Sequence, residues 1–298
     1  MVNIQEVADK TYHFETPVKG INRVLSVYII KEEKQTLIDP GPANAIPFIQ
    51  EAMKKLDIKD FTFIIPTHIH LDHAGAAGQL LQLFPKAKVF LHPSAVRHAV
   101  EPSRLIQGTK QAFGENFESV WGPIIPINES RITVPADGEK FSLGGRDIRI
   151  FHTPGHANHH ISVFDEKTRG IFSGEALGVP KKGAENFPLP AVVPPSFDID
   201  EYVKTMEMLR ALKPKLIFYG HDGVGKDPEK LIAVAEENTK TLGDIVLKAL
   251  KNGESSQEIG HRLHEYIYSC TGTGAEETDR TLTVQAYVMY FKKKGLVQ

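Results

Sequence analysis

Residues 67–75 read Thr-His-Ile-His-Leu-Asp-His-Ala-Gly, so His68, His70, Asp72 and His73 fall within six positions. Imidazole nitrogen and carboxylate oxygen are the ligands that borderline divalent ions such as zinc prefer. One residue separates His68 from His70, so in an extended segment both side chains point the same way. Asp72 and His73 follow where the chain turns, and they can face a neighbouring ion. A single histidine here would read as a solvated loop residue. This density of ligand types reads as a metal site.

Further ligand types recur down the chain. His152-Thr-Pro-Gly-His156-Ala-Asn-His159-His160 places a histidine after a tight Pro-Gly turn. Gly170-Ile-Phe-Ser-Gly-Glu175 ends an apolar run on a carboxylate, and Gly220-His221-Asp222-Gly223 ends another on a histidine. Asp39 closes Thr36-Leu-Ile-Asp-Pro-Gly41, where an aspartate commonly serves the turn itself.

The elements that must position these groups follow from patterning. Phe61–Ile65 is an apolar run ended by Pro66 and reads as a buried strand, and Gly75–Phe84 reads as a helix. The first motif therefore sits on a strand-to-helix loop, where α/β scaffolds present chemistry. Thr11–Phe14, Val24–Ile30, Thr36–Gly41 and Lys88–His92 read as strands, and Ala45–Leu56 as an amphipathic helix. Pro93–Trp121 reads as helical; its Arg97, His98 and Arg104 read as a solvated face rather than anchors for an anion. Arg131–Val134, Glu139–Leu143 and Asp147–His152 read as antiparallel strands. Leu177–Phe197 has five prolines and little periodicity, the pattern of a substrate-facing loop, with Lys181, Lys182 and Phe187 as candidate contacts. Asp198 opens a helix to Leu212, and Lys215–Tyr219 is a strand.

Bulk properties narrow the class. The 298 residues are 41% hydrophobic and 24% charged, the profile of a soluble globular protein. A net charge of −2 gives no global field to draw in nucleic acid or an anionic membrane. Cys270 is the one cysteine, so no internal disulfide forms, which fits a reducing compartment. The amino-terminal residues lack a signal-peptide pattern and no apolar run spans a membrane. A cytoplasmic protein acting on a small molecule is expected.

The ordered set of motifs resembles the metallo-β-lactamase superfamily of metal-dependent hydrolases, and in particular its glyoxalase II-like catalytic domains. The resemblance implies an α/β fold, a four-layer αββα sandwich. It implies two divalent ions, zinc first and iron or manganese otherwise. His68, His70 and His156 would hold one ion, and Asp72, His73 and His221 the other. Glu175 stands where the family usually has a bridging aspartate, and that departure touches metal spacing and identity. Asp39 would support the metal loop from behind, and His160 would line the pocket.

Residues 240–298 form the second expected domain after a catalytic domain over 1–239. Leu242, Ile245, Val246, Ala249 and Leu250 make one apolar stripe. Ser255–Glu258 looks like a capping box opening a second helix, and Glu277–Lys293 a third. This tail is similar to the winged-helix-like region of one superfamily branch. Its eight Lys/Arg against seven Asp/Glu favour packing or homodimer formation over DNA binding.

The function expected is hydrolysis of an ester, thioester or lactone by a metal-activated water, with Asp72 passing the proton. The alternatives are a mononuclear iron sulfur dioxygenase using two histidines and Glu175, and a nuclease. The near-neutral tail counts against the nuclease.

Overall fold

Two β-sheets organise the chain in this computed structural model, which describes residues 2–18, 24–113 and 117–297. The first sheet is built in sequence order from β1 (Gln5–Ala8), β2 (Thr11–Pro17), β3 (Val24–Ile30), β4 (Thr36–Ile38), β5 (Phe63–Ile65), β6 (Lys88–Phe90) and β7 (Ile132–Thr133). Between them lie α1 (Ile46–Lys55), α2 (Leu71–Ala74), α3 (Ala77–Leu83), α4 (Val96–Val100), α5 (Ser103–Phe113) and α6 (Phe117–Trp121). Then come β8 (Glu139–Ser142), β9 (Asp147–His152), β10 (Ile161–Asp165), β11 (Gly170–Gly174), the hairpin β12 (Val179–Lys181) and β13 (Ala184–Leu189), and α7 (Ile199–Ala211). β14 (Leu216–Tyr219), β15 (Val224–Gly225), α8 (Pro228–Lys251), α9 (Ser256–Thr271) and α10 (Glu277–Lys293) complete the chain. The second sheet has the order β15-β14-β11-β10-β9-β8.

The residues fall into two compact units. One gathers Met1–His152, His159–Gly174 and Lys215–Lys226, and holds both sheets. The other gathers Thr153–Asn158, Glu175–Pro214 and Asp227–Gln298.

In the first unit, β3 shows why the core forms. Its run Val-Leu-Ser-Val-Tyr-Ile-Ile is buried on both faces, as expected of an interior strand. With the two-residue period, Leu25, Val27 and Ile29 join Ile49 of α1, Leu80 of α3 and Trp121 of α6 in one cluster. Tyr28 and Ile30 face the other way. They meet Ile148, Ile161, Val163, Phe172 and Phe218 of the second sheet, together with Ile38 and Ile65 of the first. Helices, sheet and sheet are thus stacked within this unit.

Strand direction places the loops. β4, β5 and β6 are parallel neighbours, so Asp39 and the His68 motif leave the sheet at one edge. β11 and β14 are likewise parallel, so the turn at Gly220-His221 leaves beside Gly174. The expected helix Gly75–Phe84 is found as α3, and a separate short helix before it, α2, carries Asp72 and His73.

The helical stretch Pro93–Trp121 is broken by Pro102 into separate helices, and residues 114–116 of it lie outside the described residues. In the second unit, the proline-rich segment after Glu175 is not wholly irregular, since it contains the β12–β13 hairpin. α8 runs without interruption through the expected boundary at residues 239 and 240. The capping box at Ser255 and Glu258 is present, and α10 has the expected limits. Among the described residues, 240–297 contain helices and no strand, so the expected wing is not found. No helix of the described residues is long and apolar enough to cross a membrane.

At the strand ends away from the histidine motif, a buried ionic cluster pins the sheets together. The Arg146 side chain is fully buried. It donates to Asp165 Oδ2 (2.6 Å), to Glu32 Oε1 (3.1 and 3.2 Å) and to Thr11 Oγ1 (3.2 Å). Removing the guanidinium leaves two buried carboxylates without it, a loss that costs roughly 3–5 kcal/mol. Arg146→Ala should lower the unfolding free energy in urea by about that amount; a change below about 1 kcal/mol contradicts the assignment.

Candidate metal centre

Asp39 is the hub of the metal edge. It is 1% exposed, and its backbone sits in the left-handed region at φ 49°. Its Oδ1 accepts from Thr67 N (2.7 Å) and from Thr67 Oγ1 (3.0 Å), and its own N–H donates to Ile65 O (3.1 Å). His73 Nδ1 lies 3.1 Å from Asp39 Oδ2. Asp39 therefore joins the end of β4 to the loop that carries His68 and His73.

These contacts set the histidine tautomers. The Thr67 hydroxyl gives its proton to Asp39, so it accepts from His68 Nδ1 at 3.1 Å. That leaves the lone pair of His68 on Nε2, which lies 2.9 Å from His70 Nδ1. A shared proton or a shared cation satisfies such a nitrogen pair. The carboxylate beside His73 Nδ1 favours the proton on that nitrogen and leaves Nε2 as the ligand atom. His221 Nδ1 donates to Val24 O (3.0 Å), so its Nε2 is also the unprotonated one.

The released nitrogens converge. Asp72 Oδ2 lies 3.4 Å from His221 Nε2 and 3.6 Å from His73 Nε2. Asp72, His73 and His221 each offer one ligand atom, and these atoms lie within 4.8 Å of one another. One oxygen and two imidazole nitrogens at this spacing suit a divalent ion of the zinc, iron or manganese kind. The imidazoles are buried, and Asp72, with its side chain 20% exposed, is the accessible member. Gly220 makes room for the set: a Cβ there would come within 2.7 Å of His73 Cε1.

His160 is fully buried and its ring stacks on His68 at 5.0 Å, which puts it behind the ligand pair. His159 is half-buried, with its ring edge-on to His70 at 5.4 Å.

The remaining two residues of the motif set lie in the second unit, and they are paired. His156 Nε2 is 2.9 Å from Glu175 Oε2, and His156 Nδ1 donates to Ala191 O (3.0 Å). The longer glutamate side chain thus still brings its carboxylate to an imidazole ligand atom.

Among the other candidates, Arg97 and Arg104 are exposed, and so is Lys182 of the loop after Glu175. Phe187 packs near Tyr266 of α9, with ring centroids 6.3 Å apart. Thr67 and the carbonyls of Val24 and Ala191 were not singled out by the sequence. Thr67 stands inside the motif and could have been; a carbonyl carries no sequence signal.

Asp39→Asn removes the charge that organises Thr67, His68 and His73 while keeping the side-chain shape. Metal affinity measured by chelator competition should fall about tenfold or more, with the circular dichroism unchanged. Unaltered affinity contradicts the role given to Asp39.

Residues 20–221 match the family model of the metallo-beta-lactamase superfamily. A relative from Sulfurisphaera tokodaii, the metallo-beta-lactamase fold-containing protein ST1585, is 29% identical over 205 residues, 67% of this chain and 74% of its own. Its crystal structure superposes with a TM-score of 0.64 at 26% identity, over 78% of this chain and 85% of that one. The metallo-beta-lactamase family protein TTHA1429 from Thermus thermophilus superposes over 97% of this chain and 95% of its own, with a TM-score of 0.72 at 20% identity, a likeness of fold. Hydroxyacylglutathione hydrolase GloC of Haemophilus influenzae is 29% identical over 184 residues, 58% of this chain and 74% of its own. With a matched span that includes every proposed ligand and an α/β fold of two mixed sheets, the chain belongs to the metallo-beta-lactamase superfamily.

Proposed function

We propose that the protein is a two-metal hydrolase of thioester or related ester and lactone substrates. The observation that carries this reading is the convergence of Asp72, His73 and His221, whose tautomers are set from behind by Asp39 and Val24. The resemblance assigns His68, His70 and His156 to one ion, with Glu175 bridging or leaning to one side, and Asp72, His73 and His221, whose ligand atoms gather as described above, to the second. Bound divalent ions would supply a water acidified to a pKa of about 7 and would polarise the carbonyl under attack.

The chain's own residues do the rest. Buried imidazoles with fixed tautomers present lone pairs without rearrangement, so the site is preorganised. Asp72 is the accessible carboxylate of the set, placed to accept the proton of the attacking water and return it to the leaving thiolate or alkoxide. The products are the free acid and the thiol or alcohol. The thioester end of the range draws support from GloC, since a hydroxyacyl group carried on glutathione is a thioester.

A second reading rests on Glu175. Two histidines and one carboxylate on a single iron make a facial triad, and Glu175 already contacts His156 at 2.9 Å. Metal content after purification without added metal separates the two. One iron per chain with oxygen uptake on a persulfide favours the dioxygenase.

The test is a panel of thioesters, lactones, nitrocefin and phosphodiesters, run with the zinc, manganese and iron forms. Thiol release from thioesters is expected to lead the panel. His70→Ala should lose metal and turnover together; turnover retained without metal contradicts the scheme.

A further inference from the structure

One phenol links the two ligand-type residues of the second unit. Tyr202, on the first turn of α7, is fully buried. Its Oη donates to Glu175 O (2.6 Å) and accepts from Gly178 N (3.0 Å) and Ala191 N (3.2 Å). Ala191 O is in turn the acceptor for His156 Nδ1 (3.0 Å). The hydroxyl therefore stands one residue's backbone away from His156 and on the backbone of Glu175 itself.

It also stands where the segment after Glu175 begins and where that segment returns. Gly178 precedes the β12–β13 hairpin, and Ala191 follows it.

The Thr-Pro-Gly-His turn is seated on the same helix. Asp198 N donates to Gly155 O (2.9 Å), and Thr205 Oγ1 donates to Pro154 O (2.7 Å). Gly155 has φ 126°, and a Cβ there would collide with the Tyr202 backbone. The turn carrying His156 can approach α7 this closely because that position is glycine.

The C-terminal helices hold the ring. Phe197 packs edge-on to Tyr202 at 5.4 Å and to Tyr287 of α10 at 5.2 Å. Tyr287 Oη donates to Thr239 O of α8 (2.8 Å). An aromatic row thus runs from Tyr287 of α10, tied to α8 by its hydroxyl, through Phe197 to the phenol bonded to Glu175 and Ala191.

We propose that Tyr202 is a positioning residue of the metal centre: its hydroxyl fixes the Glu175 carbonyl and the Ala191 backbone, so that His156 Nε2 and the Glu175 carboxylate are presented together to one ion. The proposal rests on the assignment of His156 and Glu175 as ligands made above. A buried hydroxyl with several partners is a stiff support, because losing it leaves buried N–H groups without their acceptor.

The test is a two-step metal titration of the full chain with cobalt, read by the visible spectrum and by chelator competition. Tyr202→Phe keeps the ring and its packing and removes the hydroxyl. One of the two dissociation constants should rise about ten- to a hundredfold, with a changed spectrum for that ion, while the other holds. Tyr290→Phe removes a different buried phenol of the same unit, one outside this row, and should leave both constants unchanged.

Equal affinities in Tyr202→Phe and wild type, or equal weakening in both variants, overturn the proposal. A wild-type chain that binds fewer than two ions instead contradicts the ligand assignment. Should the Phe variant not fold, 3-fluorotyrosine at position 202 keeps the packing and alters the hydroxyl. It should then shift the same constant by roughly severalfold, and no shift overturns the proposal.

Discussion

The loop that carries His68 and His73 depends on one buried carboxylate accepting from its neighbours. Asp39 takes the Thr67 amide and hydroxyl, and through that hydroxyl it directs His68. Its second oxygen lies beside His73. A carboxylate this deeply buried is tolerated because donors surround it. In return it decides which nitrogen of His68 and of His73 is left with a lone pair. The parallel pairing of β4 and β5 makes this possible, since it brings Asp39 and Thr67 to adjacent strand ends. The fold thus does its chemical work before any ligand arrives: it sorts protons among ring nitrogens.

Glu175 stands where the resemblance read from the sequence implies an aspartate. Here the carboxylate still meets the ligand nitrogen of His156, and the backbone of Glu175 is tied to the Tyr202 hydroxyl. The support behind the ligand is as specific as the ligand itself. It also gives the C-terminal helices a part in the centre that charge alone would not suggest, through Tyr287 and Phe197.

Much of this was legible in the residues. The ligand motifs could be read because each ends a strand, and strand ends are marked by apolar runs broken at Pro or Gly. β3 could be read as a strand because it is rich in β-branched and aromatic residues. The capping box at Ser255 could be read because it is a local contact. What could not be read was long-range. Tyr202 looks like any tyrosine on an amphipathic helix, and the acceptors for His156 and His221 are main-chain carbonyls. The hairpin β12–β13 was hidden by the prolines around it, and the break at Pro102 by the helical composition on either side. The absence of a wing among the described residues reflects a tail whose apolar stripes suit helices alone.

The most direct measurement is anomalous diffraction at the metal absorption edge from crystals grown with zinc. Two peaks are expected, one about 2.0–2.1 Å from the Nε2 atoms of His73 and His221, and the other at a like distance from His68, His70 and His156. A single peak elsewhere, or none at these nitrogens, would contradict the two-ion centre.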